Sequence, residues 1–207
     1  MTTADLQPVI EHAGVAVGAI SGVLAAEGKH VDLFGVLVLG LAAAFGGGTA
    51  RDLLVGVRPV SWLSDPALMI NALSVSLVTF FAARWVKKLS RILDVVDAVS
   101  LAFFVMLGTG KGLAEELPAP TAILLGVITG VAGGIARDVL LGQMPAVFRR
   151  EIHLYATAAL AGACVYVVAQ PAGPVVSAAA GFFTVLIIRL AAIRWKVSLP
   201  EFSPRDQ

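Results

Sequence analysis

Two short elements hold most of the chemistry legible in this chain: Gly46-Gly47-Gly48-Thr49-Ala50-Arg51-Asp52 and Gly133-Gly134-Ile135-Ala136-Arg137-Asp138. Each sets a guanidinium directly before a carboxylate, just past a run of glycines, inside a long apolar stretch. An Arg at the bilayer centre costs roughly 2.5 to above 10 kcal/mol, so such a group faces a protein interior or water. Arg51 and Arg137 each lie near enough to a span end to snorkel, but snorkelling does not explain two copies of the same Arg-Asp step. Adjacent residues on a helix do not face each other. Each Arg is therefore expected to pair with an acid from another element, first of all from the opposite copy, Arg51 with Asp138 and Arg137 with Asp52.

Consecutive glycines cost about 1 kcal/mol each relative to Ala in a helix. The Gly46 to Gly48 run thus predicts a kink or an unwound turn whose freed backbone groups face a cavity. Close helix packing through small residues is the competing reading. Thr49 and Asp52 sit three apart, as N-cap and N3 of a restarted helix would, although Ile135 replaces Thr49 in the second copy.

Glu11 and Asp97 lie early in their apolar segments, where they could form acidic pore mouths that attract cations or be ordinary solvated margin residues. Ser21, Ser100 and Thr109 could line an aqueous route or bond their own backbone, and Lys111 reaches the interface. Catalysis is not expected. His12, His30 and His153 lack ligand or triad spacing, and the glycine runs lack the strand context and Lys of a phosphate loop. The lone Cys164 excludes an intramolecular disulfide and a multi-cysteine metal site. No metal or cofactor is expected.

The elements that must hold these groups are membrane spans. Of 207 residues 58% are apolar and only 14% charged, against about 25% charged in soluble domains, and the mean hydropathy is +0.89. A net charge of +1 gives no reason to expect a nucleic-acid partner. With roughly 20 apolar residues needed per span, seven segments emerge, running over residues 8–26, 31–56, 67–83, 92–110, 117–142 and two parts of 152–188 divided by Gln170-Pro171-Ala172-Gly173-Pro174. The long unalternated runs exclude a transmembrane barrel.

Of the 15 basic residues, ten fall on the side reached after the first span and two, Arg58 and Lys111, on the N-terminal side. Arg51, Arg137 and Arg189 lie within or at the margins of spans. Positive-inside bias places the N-terminus outside and the C-terminus in the cytoplasm. Trp62, Trp85 and Trp195 fall at span margins, where interfacial aromatics belong.

Shifting the chain by 86 residues aligns Gly40–Pro59 with Gly126–Pro145 at nine identities in 20 positions, where composition alone gives roughly one or two. The same shift pairs Glu11 with Asp97. Three spans per unit is an odd number, so the second unit enters the membrane from the opposite side. The expected fold is an all-α membrane protein of seven transmembrane helices: two inverted three-helix repeats, residues 8–90 and 91–170, then a seventh helix over 171–195 and a cytoplasmic tail over 196–207. Inverted repeats bring their interface to mid-membrane, where transported species bind or pass.

These two Gly-Gly-x-x-Arg-Asp elements, each in the middle helix of a three-helix repeat, resemble the trimeric intracellular cation channel family in its prokaryotic branch, over about residues 8–195. The resemblance implies a homotrimer with one pore per subunit, bounded by the first, second, fourth and fifth helices, and conduction of monovalent cations, chiefly potassium. By this match the pore and gating residues are Gly46, Gly47, Gly48, Arg51 and Asp52 from the first motif and Gly133, Gly134, Arg137 and Asp138 from the second, with membrane lipids as surroundings. The alternative is a secondary transporter that carries a small solute such as an amino acid by alternating access.

Overall fold

The computed structural model describes residues 3–83, 85, 89–149 and 154–197. Arg84, Lys87, Lys88, Arg150, His153 and Arg205, and most of the tail, lie outside them. Seven long helices follow in order: α1 (Thr3–Leu24), α2 (Leu33–Val55), α3 (Pro66–Ala83), α4 (Leu89–Ala114), α5 (Ala119–Leu140), α6 (Tyr155–Val168) and α7 (Pro174–Trp195). A single helical turn, Ser61–Ser64, precedes α3, and 3-10 turns at Ala146–Phe148 and Gln170–Ala172 follow α5 and α6. α2, α3, α5, α7 and the Ser90–Ala114 part of α4 are long and apolar enough to cross a membrane. The 14-residue α6 reaches only about 21 Å.

Local sequence explains the ends. Asp32 caps α2 by accepting from the Gly35 amide at 2.8 Å. α2 stops at Gly56, whose φ of 77° only glycine adopts without strain. Gly142, with φ 66°, does the same after α5. The amides of Val57 and Gln143, at equivalent places in the two repeats, return to the carbonyls of Asp52 and Asp138, each at 2.9 Å.

The repeat is visible in the packing. α1 lies on α2 as α4 lies on α5, and α3 covers α1 and α2 as α6 covers α4 and α5. α2 against α5 and α1 against α4 join the two halves, making these four the inner bundle, while α7 packs on α4 and α6. The bundle is an inverted-repeat, all-α membrane fold. Its outer helices α3 and α7 turn Ile70, Val78, Phe183 and Ile187 outward, each more than half exposed, as a lipid-facing surface requires.

The glycine runs do not break their helices. α2 is helical without interruption through Gly46, Gly47 and Gly48, and α5 through Gly133 and Gly134. They mark the crossing of the two helices instead. A Cβ on Gly47 would lie 2.1 Å from the Thr129 carbonyl oxygen, and one on Gly133 2.4 Å from that of Ala43. With the 86-residue shift these are the same contact made twice, about the pseudo-two-fold axis. The propensity cost of glycine is offset by a backbone approach that no side chain permits. Thr49 therefore caps no restarted helix: it lies inside α2 and accepts from the Trp62 indole at 3.0 Å.

Candidate functional site

Beyond the crossing, each middle helix ends in an Arg-Asp centre. In the first repeat the Arg51 Nε donates to Asp52 Oδ1 at 2.8 Å. The other oxygen, Oδ2, accepts from the Ser61 amide at 2.8 Å and from its hydroxyl at 2.7 Å. In the second repeat the Arg137 Nε donates to Asp138 Oδ1 at 2.8 Å, and Asp138 Oδ2 accepts from the Ala146 amide at 2.8 Å and from Arg149 Nη2 at 3.1 Å. All four motif side chains are buried. One carboxylate thus does two jobs: it neutralises the preceding guanidinium, and it caps the short helical turn that carries the chain across to the next span.

The expected pairing between repeats is not what the structure contains. Each Arg folds back along its own helix, because its long stem brings Nε to the next residue's carboxylate even though adjacent Cβ atoms diverge. Arg51 Nη2 also donates to the Ser61 hydroxyl at 3.3 Å, whereas the second partner of Arg137 comes from the first helix of its repeat. Arg137 Nη1 reaches Asp97 Oδ1 on α4 at 2.9 Å and also donates to Ser21 on α1. Asp97 is consequently a buried, ion-paired residue of the bundle interior and not a solvated margin residue.

Glu11, its counterpart, is half-buried and lines a cavity of about 20 Å³ together with Arg51, Asp52, Gly48, Ser61 and Leu107, room for about one water. Among the described residues no ion pair joins Glu11 to Arg51. Trp62 closes part of this cavity, its ring stacked on Phe45 with centroids 5.0 Å apart. It packs in the bundle, whereas Trp85 and Trp195 are largely exposed. Thr109 bonds the Val105 carbonyl at 2.8 Å, so its hydroxyl serves its own helix. Lys111 pairs with Glu115 at 2.8 Å near the end of α4. Among the described residues no cluster could hold a metal ion.

Three contributors escaped the sequence. Ser61 and Ala146 supply capping amides nine and eight residues past their acids, a distance no local pattern spans. Tyr155, buried at the start of α6, has Arg189 of α7 over its ring at 4.7 Å from the centroid. For Arg189 the signal was present: a lone cation deep in an apolar span belongs to an interior.

A family model described as Glycine transporter matches residues 8–84 and 94–171, one stretch on each repeat. The inner membrane protein YadS of Escherichia coli K12 is 44% identical over 194 residues, 92% of this chain and 93% of that protein. The crystal structure of the trimeric intracellular cation channel (TRIC) orthologue from Rhodobacter sphaeroides superposes with a TM-score of 0.86 at 35% identity, covering 93% of this chain and 99% of that one. The chain belongs to the family of the Glycine transporter model and of the prokaryotic TRIC channels. A second prokaryotic TRIC channel, crystallised in 0.5 M KCl, gives a TM-score of 0.88 at 29% identity over 95% of this chain and 100% of that one. TRIC membership accounts for the fold.

Proposed function

We propose that the chain is a monovalent cation channel, passing potassium, with one pore per subunit of a homotrimer. The route runs between α1, α2, α4 and α5. Gly48, Thr49, Arg51 and Asp52 line its first half and Gly134, Arg137 and Asp138 its second, with the helix crossing at Gly46, Gly47 and Gly133 between the halves and Glu11 at the first mouth. The observation that carries this reading is the likeness to TRIC channels over nearly the whole chain, at 29–35% identity, combined with buried Arg-Asp centres at both ends of the inner bundle. Residues 8–90 and 91–170 form the repeats, 171–195 the seventh helix and 196–207 a cytoplasmic tail; the two stretches matched by the family model support this division. The protein resides in the inner membrane like YadS, with its N-terminus outside and C-terminus inside on the ten-to-two basic count.

A second reading, a carrier of a small amino acid, is favoured by the description of the matching family model and by a cavity that offers both an acid, Glu11, and a cation, Arg51. Recording from planar bilayers in a potassium chloride gradient, alongside labelled glycine uptake into vesicles, separates the two. Unitary current steps that reverse toward the potassium equilibrium potential are expected. Saturable glycine uptake with no unitary current overturns the channel in favour of the carrier.

A further inference from the structure

A histidine stands next to the first-mouth acid, and the bundle gives it a partner that the second repeat lacks. His12 follows Glu11 on α1 and faces α3, where the side-chain nitrogen of Asn71 lies 3.1 Å from His12 Nδ1 and 2.9 Å from the His12 carbonyl oxygen. Both residues are half-buried. Under the 86-residue shift the same two positions hold Ala98 and Thr157, a pair with no group that titrates near neutral pH. The arrangement therefore occurs once, on the N-terminal side of the molecule.

The two contacts together define the state of the ring. A carbonyl oxygen only accepts, so the Asn71 atom that faces it is the amide nitrogen, and the second hydrogen of that nitrogen is directed at Nδ1. Nδ1 must then present a lone pair, which makes His12 neutral with its proton on Nε2. Protonation would set an N–H against an NH2 group. Turning the Asn71 amide over would satisfy Nδ1 but place its oxygen against the His12 carbonyl, so either orientation loses a bond. Histidine is the side chain whose charge ordinarily changes between about pH 5 and 8. A proton taken up here thus breaks a link between α1 and α3 and adds a positive charge beside Glu11.

The surrounding charges give that proton a consequence. Glu11 is influenced by Arg51 and Asp52 of α2, which already pair with each other, and by Asp65 just before α3, whose carboxylate accepts from the Ala67 amide at 2.9 Å. α4 meets the cavity with the apolar Phe104 and Leu107, and Lys111, toward its end, is paired with Glu115. The charged lining residues Glu11, Arg51 and Asp52 therefore leave one net negative charge. His12 does not line the cavity; it acts on Glu11 through its charge. We propose that His12 is a proton-binding site, held neutral by Asn71, through which acid on the side proposed above as outer weakens the attraction of the Glu11 cavity for cations. The effect on cations rests on the reading that they pass that cavity; the proton site does not.

Nitrogen-15 spectra of the full chain, histidine-labelled in lipid nanodiscs, read the ring directly. His12→Asn, which puts a non-titrating amide in place of the ring, identifies its signals by their loss. At about pH 8 the His12 ring should carry its proton on Nε2 alone, and the imidazolium should form as the pH falls. Asn71→Asp, able to accept from a protonated Nδ1, should raise the proton affinity about tenfold or more and move the midpoint up by at least about one pH unit. In planar bilayers, acidifying the outer side should lower wild-type potassium conductance about threefold relative to His12→Asn, the effect of one unit charge about 6 Å away in a water-like medium. Acidifying the inner side should leave the two proteins alike. A proton on Nδ1 or a charged ring at about pH 8 overturns the proposal, as does an equal response of wild type and His12→Asn to outer acid. Should Asn71→Asp fail to fold, the wild-type tautomer and the His12→Asn comparison decide. A wild type that carries no current counts against the route itself, while the spectra still decide the proton site.

Discussion

An acid that serves two masters leaves a measurable signature at each of its bonds. Asp52 holds Arg51 with one oxygen and the Ser61 turn with the other, so Asp52→Ala strands a buried guanidinium and uncaps the turn together. Removing one partner of a buried pair commonly costs about 3 to 5 kcal/mol. We expect Asp52→Ala and Asp138→Ala to lose most of their folded yield, read as thermal stability in detergent. Double-mutant cycles locate the true pairs. Coupling of about 1 to 3 kcal/mol is expected for Arg51 with Asp52 and for Arg137 with Asp97, and less than about 0.5 kcal/mol for Arg51 with Asp138. A large Arg51–Asp138 coupling would contradict the geometry. The residues of both centres could be picked out from composition and repetition alone, because charge inside an apolar run is rare. Their partners could not. Which acid an Arg reaches depends on stem length and on helices 40 or more positions away in the chain, as with Asp97.

Among the elements, the middle helices are continuous where a break was expected, and the glycines explain why. The sequence shows a weak point in an isolated helix; only the crossing of α2 and α5 shows that the weakness is used to bring two backbones together. The difference is testable residue by residue. Gly47→Ala or Gly133→Ala would place a methyl against a backbone carbonyl, and we expect loss of stability and assembly, seen as aggregation during size-exclusion chromatography. Gly48→Ala meets nothing closer than the Arg51 guanidinium at 3.9 Å. It should be tolerated or gain up to about 1 kcal/mol from helix propensity. If Gly48→Ala instead abolished flux in a stable protein, an unwound turn at that position would be required. Helix number and limits, by contrast, were legible from apolar runs and from the Pro171 to Pro174 breaker, since a bilayer demands length and hydropathy before it demands packing.

For the molecule as a whole, the inverted repeat follows from an odd number of spans per unit and returns in the packing, where the helix-on-helix pairs of the first half have counterparts in the second. Its asymmetry was not legible, because Ser21 against Leu107 acquires meaning only once α1 and α4 lie against opposite Arg-Asp centres. The topology predicts that a reporter fused after Gln207 reads cytoplasmic and one fused before Thr2 reads outside; both on one side would contradict seven spans. On the function proposed, cations cross each subunit between its repeats, past the Glu11 cavity. The most direct measurement is the reversal potential in a potassium chloride gradient for the wild type and for Glu11→Gln, which keeps the side chain's volume while removing its charge. Wild type should reverse near the potassium equilibrium potential and Glu11→Gln should shift measurably toward zero, since a carboxylate in a confined cavity raises local cation concentration. Identical reversal potentials in the two proteins would contradict a cation route through that cavity.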